Sequence, residues 1–368
     1  MSKAAELAKI GEVATNSQIG GRRNIVINGA MNVAQRATSV TGLGANATTN
    51  TYPTVDRWNP FHGGTTAGRY TMTQTADGPS GFANCMKLDC TTADTSIAAG
   101  EEFLISHKLE GQDLQAIGKG TSDAKQLVVS WYAKGTPKTY GIEMYDNDNT
   151  RHFTNTWTVT SSWQRFTQVI PADTTGAFDD DNALSLYILF WLHGGSNFTS
   201  GSSASSWASV TAANRAVGVG SFFSSTDNEL FITGVQMEVG SVATPFEHRS
   251  FGDELALCQR YYYHTYSYGS PAGTTFNQDY ESPIIIIGTG NHGMGVCNAV
   301  YPVEMRVAPT VSFYGSDGTA NRIRYWGGSL AAYGTVNRST RQILGMSFNA
   351  GTDPEDFYSA ALVCDAEL

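Results

Sequence analysis

Two acidic turns come closest to a metal-binding motif in this sequence. Asp146-Asn147-Asp148-Asn149-Thr150 offers alternating oxygen ligands, as calcium-binding loops do. Arg151, however, stands where such a loop turns at glycine, and no glutamate follows at the twelfth position. Asp179-Asp180-Asp181 is equally ambiguous. A polar hairpin tip is the default interpretation for both turns, and the sequence leaves open whether either one binds calcium.

The other chemical templates are incomplete. Gly118-Lys119-Gly120-Thr121 resembles a phosphate-binding loop, but Asp113 stands where the first glycine is needed and glycine follows the lysine, so we predict a solvent-exposed turn. The seven histidines are dispersed without a zinc-protease spacing, and no Gly-x-Ser-x-Gly elbow occurs. We therefore predict no catalytic residue, no cofactor and no assigned metal site, and we expect the chain not to be an enzyme.

Aromatic side chains are better candidates for a binding role. Sugars lay their C–H faces on flat rings while polar side chains bind their hydroxyls, and tyrosine and tryptophan also carry a polar tip. Tyr261 to Tyr268 holds five tyrosines, and one face of such a strand usually packs in a core. The candidate glycan-binding residues are two of these tyrosines and two tryptophans expected in loops: Tyr266, Tyr268, Trp207 and Trp326.

Composition and charge exclude several classes of protein. Only 15% of the residues are charged, so threonine, serine, asparagine and glycine must cover the surface, which is typical of strands and tight turns. Residues 139–368 carry 10 basic and 22 acidic side chains, which disfavours nucleic-acid binding. The longest apolar run, Leu184 to Leu192, is too short to span a membrane, and no secretory signal is visible. We expect synthesis in a cytoplasm and no membrane insertion.

The strand pattern predicts an all-β fold. About ten short strands separated by glycine, aspartate, asparagine and threonine turns fill residues 24–249, without a β-α-β rhythm, as in a two-sheet antiparallel sandwich. Leu184 to Leu192 is apolar on both faces, which predicts a central strand. In contrast, Val235, Met237 and Val239 alternate with Gln236 and Glu238, which predicts one buried and one wet face.

Four segments follow from these patterns. Residues 1–23 read as a short helix and a hinge that serve attachment or oligomerisation, or else as a frayed terminus. Residues 24–249 form the sandwich, and Ser250 with Asp253 forms a capping box that begins a helical joint over 250–260. Residues 261–368, in which strands return, form a smaller β domain.

Two stretches at the ends of the sandwich carry a resemblance. Asn24 to Arg36 together with Asp56-Arg57-Trp58, and Ile232 to Gly240 continuing to Tyr262, resemble tail-fibre or receptor-binding proteins of bacteriophages and prophages. Ala37 departs from the pattern, since the family usually has glycine there. The resemblance implies a jelly-roll sandwich similar to carbohydrate-binding modules, carried on a virion as a trimer, with no catalytic residues. Arg57 and Arg249 are expected to hold the sandwich together by pairing with carboxylates, and Trp58 by filling its core.

The function expected from the resemblance is that of a bacteriophage tail-fibre or receptor-binding subunit. It implies a homotrimer, attached to other tail or virion proteins through residues 1–23, with residues 261–368 at the tip contacting a host-surface glycan. The protein would be assembled in the bacterial cytoplasm and located in the phage tail. Two alternatives stay open: a purely structural head-fibre, decoration or baseplate protein, and a polysaccharide-degrading tail enzyme, whose carboxylate pair only the fold could reveal.

Overall fold

A computed structural model describes Lys3 and residues 23–44, 51–276, 285–287, 294–325, 330–332, 334–349 and 357–368. The chain divides into two compact units. The sandwich unit comprises residues 1–32, 39–53 and 57–249, and the second unit comprises residues 33–38, 54–56 and 250–368. The predicted helix and hinge over residues 1–23 lie outside the described residues, apart from Lys3 and Arg23.

Two six-stranded antiparallel sheets form the sandwich unit, which confirms the predicted all-β, jelly-roll-like sandwich. The first sheet has the order β1-β3-β4-β12-β6-β9, and the second has the order β11-β8-β7-β10-β5-β2. The strands are β1 Ser39–Leu43, β2 Asn59–Gly63, β3 Arg69–Thr75, β4 Cys85–Thr92, β5 Glu102–Glu110, β6 Leu127–Gly135, β7 Lys138–Asp146, β8 Arg151–Val159, β9 Gln164–Ile170, β10 Leu184–Gly194, β11 Ala208–Ser209 and β12 Glu229–Val239. A one-turn helix, α1, spans Ser196–Thr199.

The core between the sheets is built around large aromatic rings. Trp58, Trp131 and Phe190 are fully buried, and the Phe190 ring lies 6.3 Å from Trp58 and 5.4 Å from Trp131. Burial of such rings is the largest favourable contribution available to a sheet pair. Strand β10 lies between β7 and β5, as its apolar sequence predicted, and its outward-facing Leu189 and Trp191 are buried as well.

The Asp-Arg-Trp motif is divided between the two units. Trp58 fills the core and donates from Nε1 to the carbonyl of Asn28 at 3.0 Å, as expected. Arg57 is fully buried and donates from Nη2 to the carbonyl of Lys108 at 2.7 Å. Asp56 belongs to the second unit, where it accepts hydrogen bonds from the amide and side chain of Gln35.

Arg249 fastens the beginning of the sandwich to its end. Its guanidinium donates to the carbonyls of Asn24 and Val26, whereas the Glu247 carboxylate is 4.0 Å away. Glu247 instead accepts from the amide of Asn24 at 2.6 Å. Arg249 thus binds main-chain carbonyls in addition to pairing with the Glu247 carboxylate.

The prediction that one face of β12 is exposed to solvent is wrong. Gln236 and Glu238 are buried because residues 241–249 fold back over that face of the strand. The amide of Thr244 donates to Glu238 at 3.0 Å, and the amide of Glu247 donates to the Gln236 side chain at 2.8 Å. Polar residues that alternate along a strand can therefore bind a covering segment instead of water.

Helix α2, Phe251–Gln259, is the first element in residues 250–368 of the second unit. Ser250 caps it by accepting from the amide of Asp253 at 3.2 Å, as the capping box predicted. Three small antiparallel sheets follow, with the orders β13-β22-β16, β14-β21-β17-β18 and β15-β20-β19. Their strands are β13 Tyr262–His264, β14 Ile285–Ile287, β15 Met294–Val300, β16 Thr310–Tyr314, β17 Ile323–Tyr325, β18 Leu330–Ala332, β19 Gly334–Ser339, β20 Ile343–Asn349, β21 Phe357–Ser359 and β22 Ala361–Asp365.

Residues 33–38 complete the second unit. The Arg36 guanidinium stacks on the ring of Tyr262 at 3.6 Å and lies 3.3 Å from the carboxylates of both Asp365 and Glu367. Gln35 donates from Nε2 to the carbonyl of Tyr262 at 2.9 Å. The unit therefore joins an early segment to the C-terminal residues.

Among the described residues, no helix is long and apolar enough to cross a membrane.

Candidate functional site

An open cleft of about 390 Å³ lies on the outer face of the second sheet of the sandwich unit. Strand β5 contributes every second residue to it, because alternate side chains of a strand share one face. These four residues are Glu102, Leu104, Ser106 and Lys108. The intervening side chains of β5 point into the sandwich core, where Phe103 and Ile105 are fully buried.

Antiparallel register brings aromatic residues of neighbouring strands into one row. Lys108 pairs with Tyr187 on β10, which in turn pairs with Tyr145 on β7. The two tyrosine rings are 5.7 Å apart and nearly perpendicular, and both line the cleft. Leu104, Leu189 and Trp191 form a buried apolar cluster against which these rings pack. The cleft thus has half-exposed rings on a rigid apolar base.

Arg215 reaches the cleft from the loop before β12 and is fixed from below. Its Nε lies 3.0 Å and 3.2 Å from the two carboxylate oxygens of the fully buried Glu143. The guanidinium carbon lies 5.1 Å from the Tyr145 ring centre and 5.0 Å from that of Trp191. Its two terminal nitrogens form no hydrogen bond with any residue that the structure describes, so four N–H donors remain for a ligand.

Glu102 supplies the complementary acceptor. Burial raises the pKa of its carboxyl group, and the charge of Glu143 adds to this, while Arg215 opposes it. Within the described part of the chain, the Glu102 carboxylate accepts no hydrogen bond. The cleft therefore contains one anchored donor and one desolvated acceptor, each with hydrogen-bonding capacity that the described residues do not use. Buried or half-buried polar groups are normally satisfied, so such a pair is the kind that a ligand completes.

The four residues selected from sequence lie elsewhere. Trp207 is half-buried and donates from its indole to the carbonyl of Pro171 at 2.8 Å. Tyr266 is buried, with its hydroxyl accepting from the amide of Gly273. Tyr268 is about half exposed, stands edge-on to Phe251 and accepts from the amide of Ala34. Trp207 belongs to the sandwich unit and the two tyrosines to the second unit, while Trp326 is not among the described residues.

A serine–histidine–glutamate arrangement also occurs in the sandwich unit. The His193 ring lies 2.8 Å from Ser221 Oγ through Nδ1 and 3.2 Å from Glu101 through Nε2. His193 is fully buried, however, and Ser221 Oγ already accepts from the amide of Phe223 to cap a short 3-10 turn. These contacts satisfy buried polar atoms, and we assign the arrangement to packing.

The cleft residues were not selected from sequence, although some of their strands were predicted. Leu184 to Leu192, which contains Tyr187 and Leu189, is one of the strands that the sequence predicts. The sequence does not reveal which strands pair, so the residues around Tyr145 and Tyr187 give no indication that these two tyrosines are cross-strand neighbours. The available signal was Leu184 to Leu192 itself, since a strand that is apolar on both faces must be covered on both.

Comparison with known proteins adds little to this geometry. No protein-family model and no curated protein matches the chain. A solved CBM4 structure matches with a TM-score of 0.31 and 14% identity, over 58% of this chain and 99% of that one. A family 11 carbohydrate-binding module from Clostridium thermocellum matches with a TM-score of 0.27 and 14% identity, over 56% of this chain and 98% of that one.

A phage protein is also among the matches. The enzymatically active domain of tailspike protein 4 of bacteriophage CBA120 matches with a TM-score of 0.29 and 11% identity, over 53% of this chain and 22% of that one. Similarity at this level says nothing about what this chain binds, so the function proposed below rests on the geometry of the cleft.

Proposed function

We propose that the sandwich unit binds a glycan in the cleft on the outer face of its second sheet. The observation that carries this proposal is the pair formed by Arg215 and Glu102. A donor-only and an acceptor-only side chain line the same cleft, beside half-exposed tyrosine rings, with no mutual ion pair within 4 Å in the described structure. A sugar hydroxyl both accepts and donates, so neighbouring hydroxyls can satisfy both side chains while the ring lies on tyrosine.

The charges favour a neutral sugar over a polyanion. Lys108 and Arg215 oppose Glu102 in the lining, and Glu143 directly beneath the cleft compensates the charge of Arg215. An acidic sugar would place its carboxylate near Glu102, whose own ionised form is already disfavoured by burial. The ligand class that we propose is therefore an uncharged, hydroxyl-rich oligosaccharide.

The test is calorimetric titration with neutral and with uronic-acid oligosaccharides. We expect neutral oligosaccharides to bind, and Arg215→Met and Tyr187→Ala to weaken that binding roughly ten- to a hundredfold, the cost of losing a hydrogen bond to a charged group or a stacked ring. Tyr268→Ala is the matched control, because it removes an exposed ring outside the cleft. Binding that survives Arg215→Met but is lost in a folded Tyr268→Ala variant would refute the cleft.

The wider setting that we propose is a phage tail fibre. It is supported by the resemblance of Asn24 to Arg36 and Ile232 to Tyr262 to tail-fibre and receptor-binding proteins. In this setting the chain is a homotrimer that reaches the virion through residues 1–23, and glycan binding serves adsorption to the host.

Two measurements test this setting separately from glycan binding. Sedimentation should give three times the 39.5 kDa chain mass, and a mass near that of one chain would contradict the trimer. Antibodies against the chain should label the phage tail in electron micrographs. Label on the capsid would instead favour the structural alternative, and release of new reducing ends from host polysaccharide would favour the tail enzyme.

A further inference from the structure

The glycine-rich turn and the first acidic turn of the sequence meet in the sandwich unit around one lysine. Lys119 Nζ lies 2.5 Å from Asp146 Oδ2 and 3.2 Å from Asp173 Oδ2. It also donates to the carbonyls of Thr175 at 2.9 Å and Gly176 at 2.7 Å. The Lys119 side chain is only 2% exposed, so a buried ammonium ion sits in a cage of four oxygens contributed by two separate parts of the chain.

Glycines on either side of the lysine allow this approach. Gly118 and Gly120 have φ values of 64° and 81°, which side-chain-bearing residues rarely adopt. A Cβ atom on Gly120 would also lie 2.4 Å from the amide nitrogen of Ala177. The pattern that resembled a phosphate loop is therefore required to bring Lys119 close to residues 175–177.

Both carboxylates are held in place independently of the lysine. Asp146 accepts from the amide of Asn149 at 3.0 Å and from its side chain. Asp173 accepts from Arg151 Nε at 2.8 Å and from the amide of Thr175 at 3.1 Å. Burial alone would raise the pKa of Asp173, but Arg151, the Thr175 amide and Lys119 outweigh it and lower that pKa. The oxygens would therefore keep their positions if the lysine were shortened.

We infer that the Lys119 ammonium is a built-in cation in an oxygen cage suited to calcium, and that shortening this side chain makes the sandwich unit bind calcium. Two carboxylate and two carbonyl oxygens are the donors that Ca²⁺ takes, with waters completing its shell. Ca²⁺–oxygen distances of about 2.3–2.6 Å require the cage to contract, by roughly 0.6 Å or more at Asp173 Oδ2, which lies 3.2 Å from Nζ. An alanine at this position removes three methylene groups and the ammonium, which would leave room for the waters.

The cage also supports the proposed glycan cleft. Asp146 is the last residue of β7 and directly follows Tyr145, whose ring lines the cleft. Asp146 additionally pairs with Leu186 on β10, next to Tyr187. A cation in this cage, whether lysine or calcium, thus fixes the end of the cleft that carries both tyrosines.

The test compares Lys119→Ala with Lys119→Met in thermal unfolding with EDTA, CaCl₂ or NaCl of equal ionic strength. Both variants should melt below the wild type. Saturating CaCl₂ should raise the Tm of Lys119→Ala by roughly 3 °C or more and that of Lys119→Met not at all, because methionine fills the cage without a charge. The wild type should respond to neither EDTA nor CaCl₂, since its own ammonium occupies the position.

A folded Lys119→Ala variant that is indifferent to CaCl₂ would overturn the inference, as would stabilisation of the wild type by CaCl₂. If Lys119→Ala does not fold in EDTA, refolding decides the matter. Recovery of the folded state with CaCl₂ but not with NaCl supports the cage, and failure with both refutes it.

Discussion

Glu143 is the residue on which the chemistry of the cleft depends, although no ligand can touch it. Its carboxylate accepts from Trp191 Nε1 at 2.7 Å and from Arg215 Nε, and it lies 2.9 Å from His152 Nδ1. It is fully buried beneath the cleft. A buried carboxylate is tolerated only with this number of partners, because desolvation of an unpaired charge costs several kcal/mol. Because Glu143 binds Arg215 through Nε, the two terminal nitrogens of Arg215 stay available to a ligand within the described structure.

We predict that Glu143→Gln lowers the free energy of unfolding by about 3 kcal/mol. The change leaves Arg215 with a neutral partner in a desolvated site, and breaking a buried ion pair costs about 3–5 kcal/mol. Chemical denaturation at pH 7 measures the loss. The variant should also bind the glycan less tightly, because Arg215 is then no longer held against Tyr145.

Glu102→Gln is the matched control for this prediction. Burial raises the pKa of the Glu102 carboxyl group, so its ionised form is unfavourable in the folded state above that pKa. Neutralising it should leave stability at pH 7 unchanged or higher. An equal loss in both variants would mean that the effect comes from the sheet face in general and not from the Glu143 contacts.

At the scale of the strands, two fully buried histidines and one half-buried histidine are expected to make the sandwich sensitive to acid. They stand on neighbouring strands of the second sheet: His62 on β2, His107 on β5 and His193 on β10. Burial lowers the pKa of all three, that of His62 to about 4 with Arg69 contributing. Each is therefore neutral in the folded sandwich at a pH where the unfolded chain is already protonated.

We predict that the sandwich loses stability as pH falls from about 6.5 to about 4. A histidine whose pKa is lower in the folded than in the unfolded state does not reduce the free energy of unfolding at a pH above its unfolded pKa. As the pH falls from that value towards the folded pKa, each such histidine reduces the free energy of unfolding by up to about 1.4 kcal/mol per pH unit. His62→Phe should flatten this dependence, since the ring already stacks on Phe103 at 4.8 Å. Denaturant unfolding across this range measures the slope, and an unchanged slope in the variant would contradict the assignment.

The strands also show how far sequence reasoning reaches. Alternation and apolar runs predicted the sandwich class and the central position of β10. A strand that is buried on both faces has a continuous apolar sequence, which can be recognised without knowledge of its neighbours. The same reasoning failed for β12, whose alternating Gln236 and Glu238 bind a covering segment. In the second unit strands return as expected, and β15 ends at Val300, two residues before Pro302.

The candidate site could not be predicted for a related reason. The site combines residues from β7, β10 and the loop before β12, namely Tyr145, Tyr187 and Arg215. The antiparallel register makes the two tyrosines neighbours, and the path of the loop places Arg215 beside them. The tyrosines of residues 261–268, by contrast, are adjacent only along the chain. Adjacency along a strand is poor evidence of a shared surface, since successive side chains point to opposite faces.

For the whole molecule, the discontinuous second unit limits how the chain can be divided. Gln35 and Arg36, which both contact Asp56, bind Tyr262 and the C-terminal residues of this unit. We predict that a fragment of residues 261–368 does not fold, because it lacks these partners and helix α2. Circular dichroism and amide dispersion in NMR spectra measure this. A cooperative unfolding transition in the isolated fragment would contradict the prediction.

Arg36→Ala in the full chain provides the companion measurement. It should destabilise the second unit, since Arg36 contacts Asp365, Glu367 and the ring of Tyr262. Arg23→Ala, on another arginine near the N-terminus but within the sandwich unit, is the control that should leave the second unit unaffected.

The split membership of residues 33–38 and 54–56 also has a consequence during translation. These segments leave the ribosome before the rest of the sandwich is made, whereas Tyr262, Asp365 and Glu367 are synthesised after it. The contacts of residues 33–38 and 54–56 with these later residues can therefore form only after the sandwich has been synthesised. The second unit accordingly completes its own contacts late, once residues 261–367 have left the ribosome.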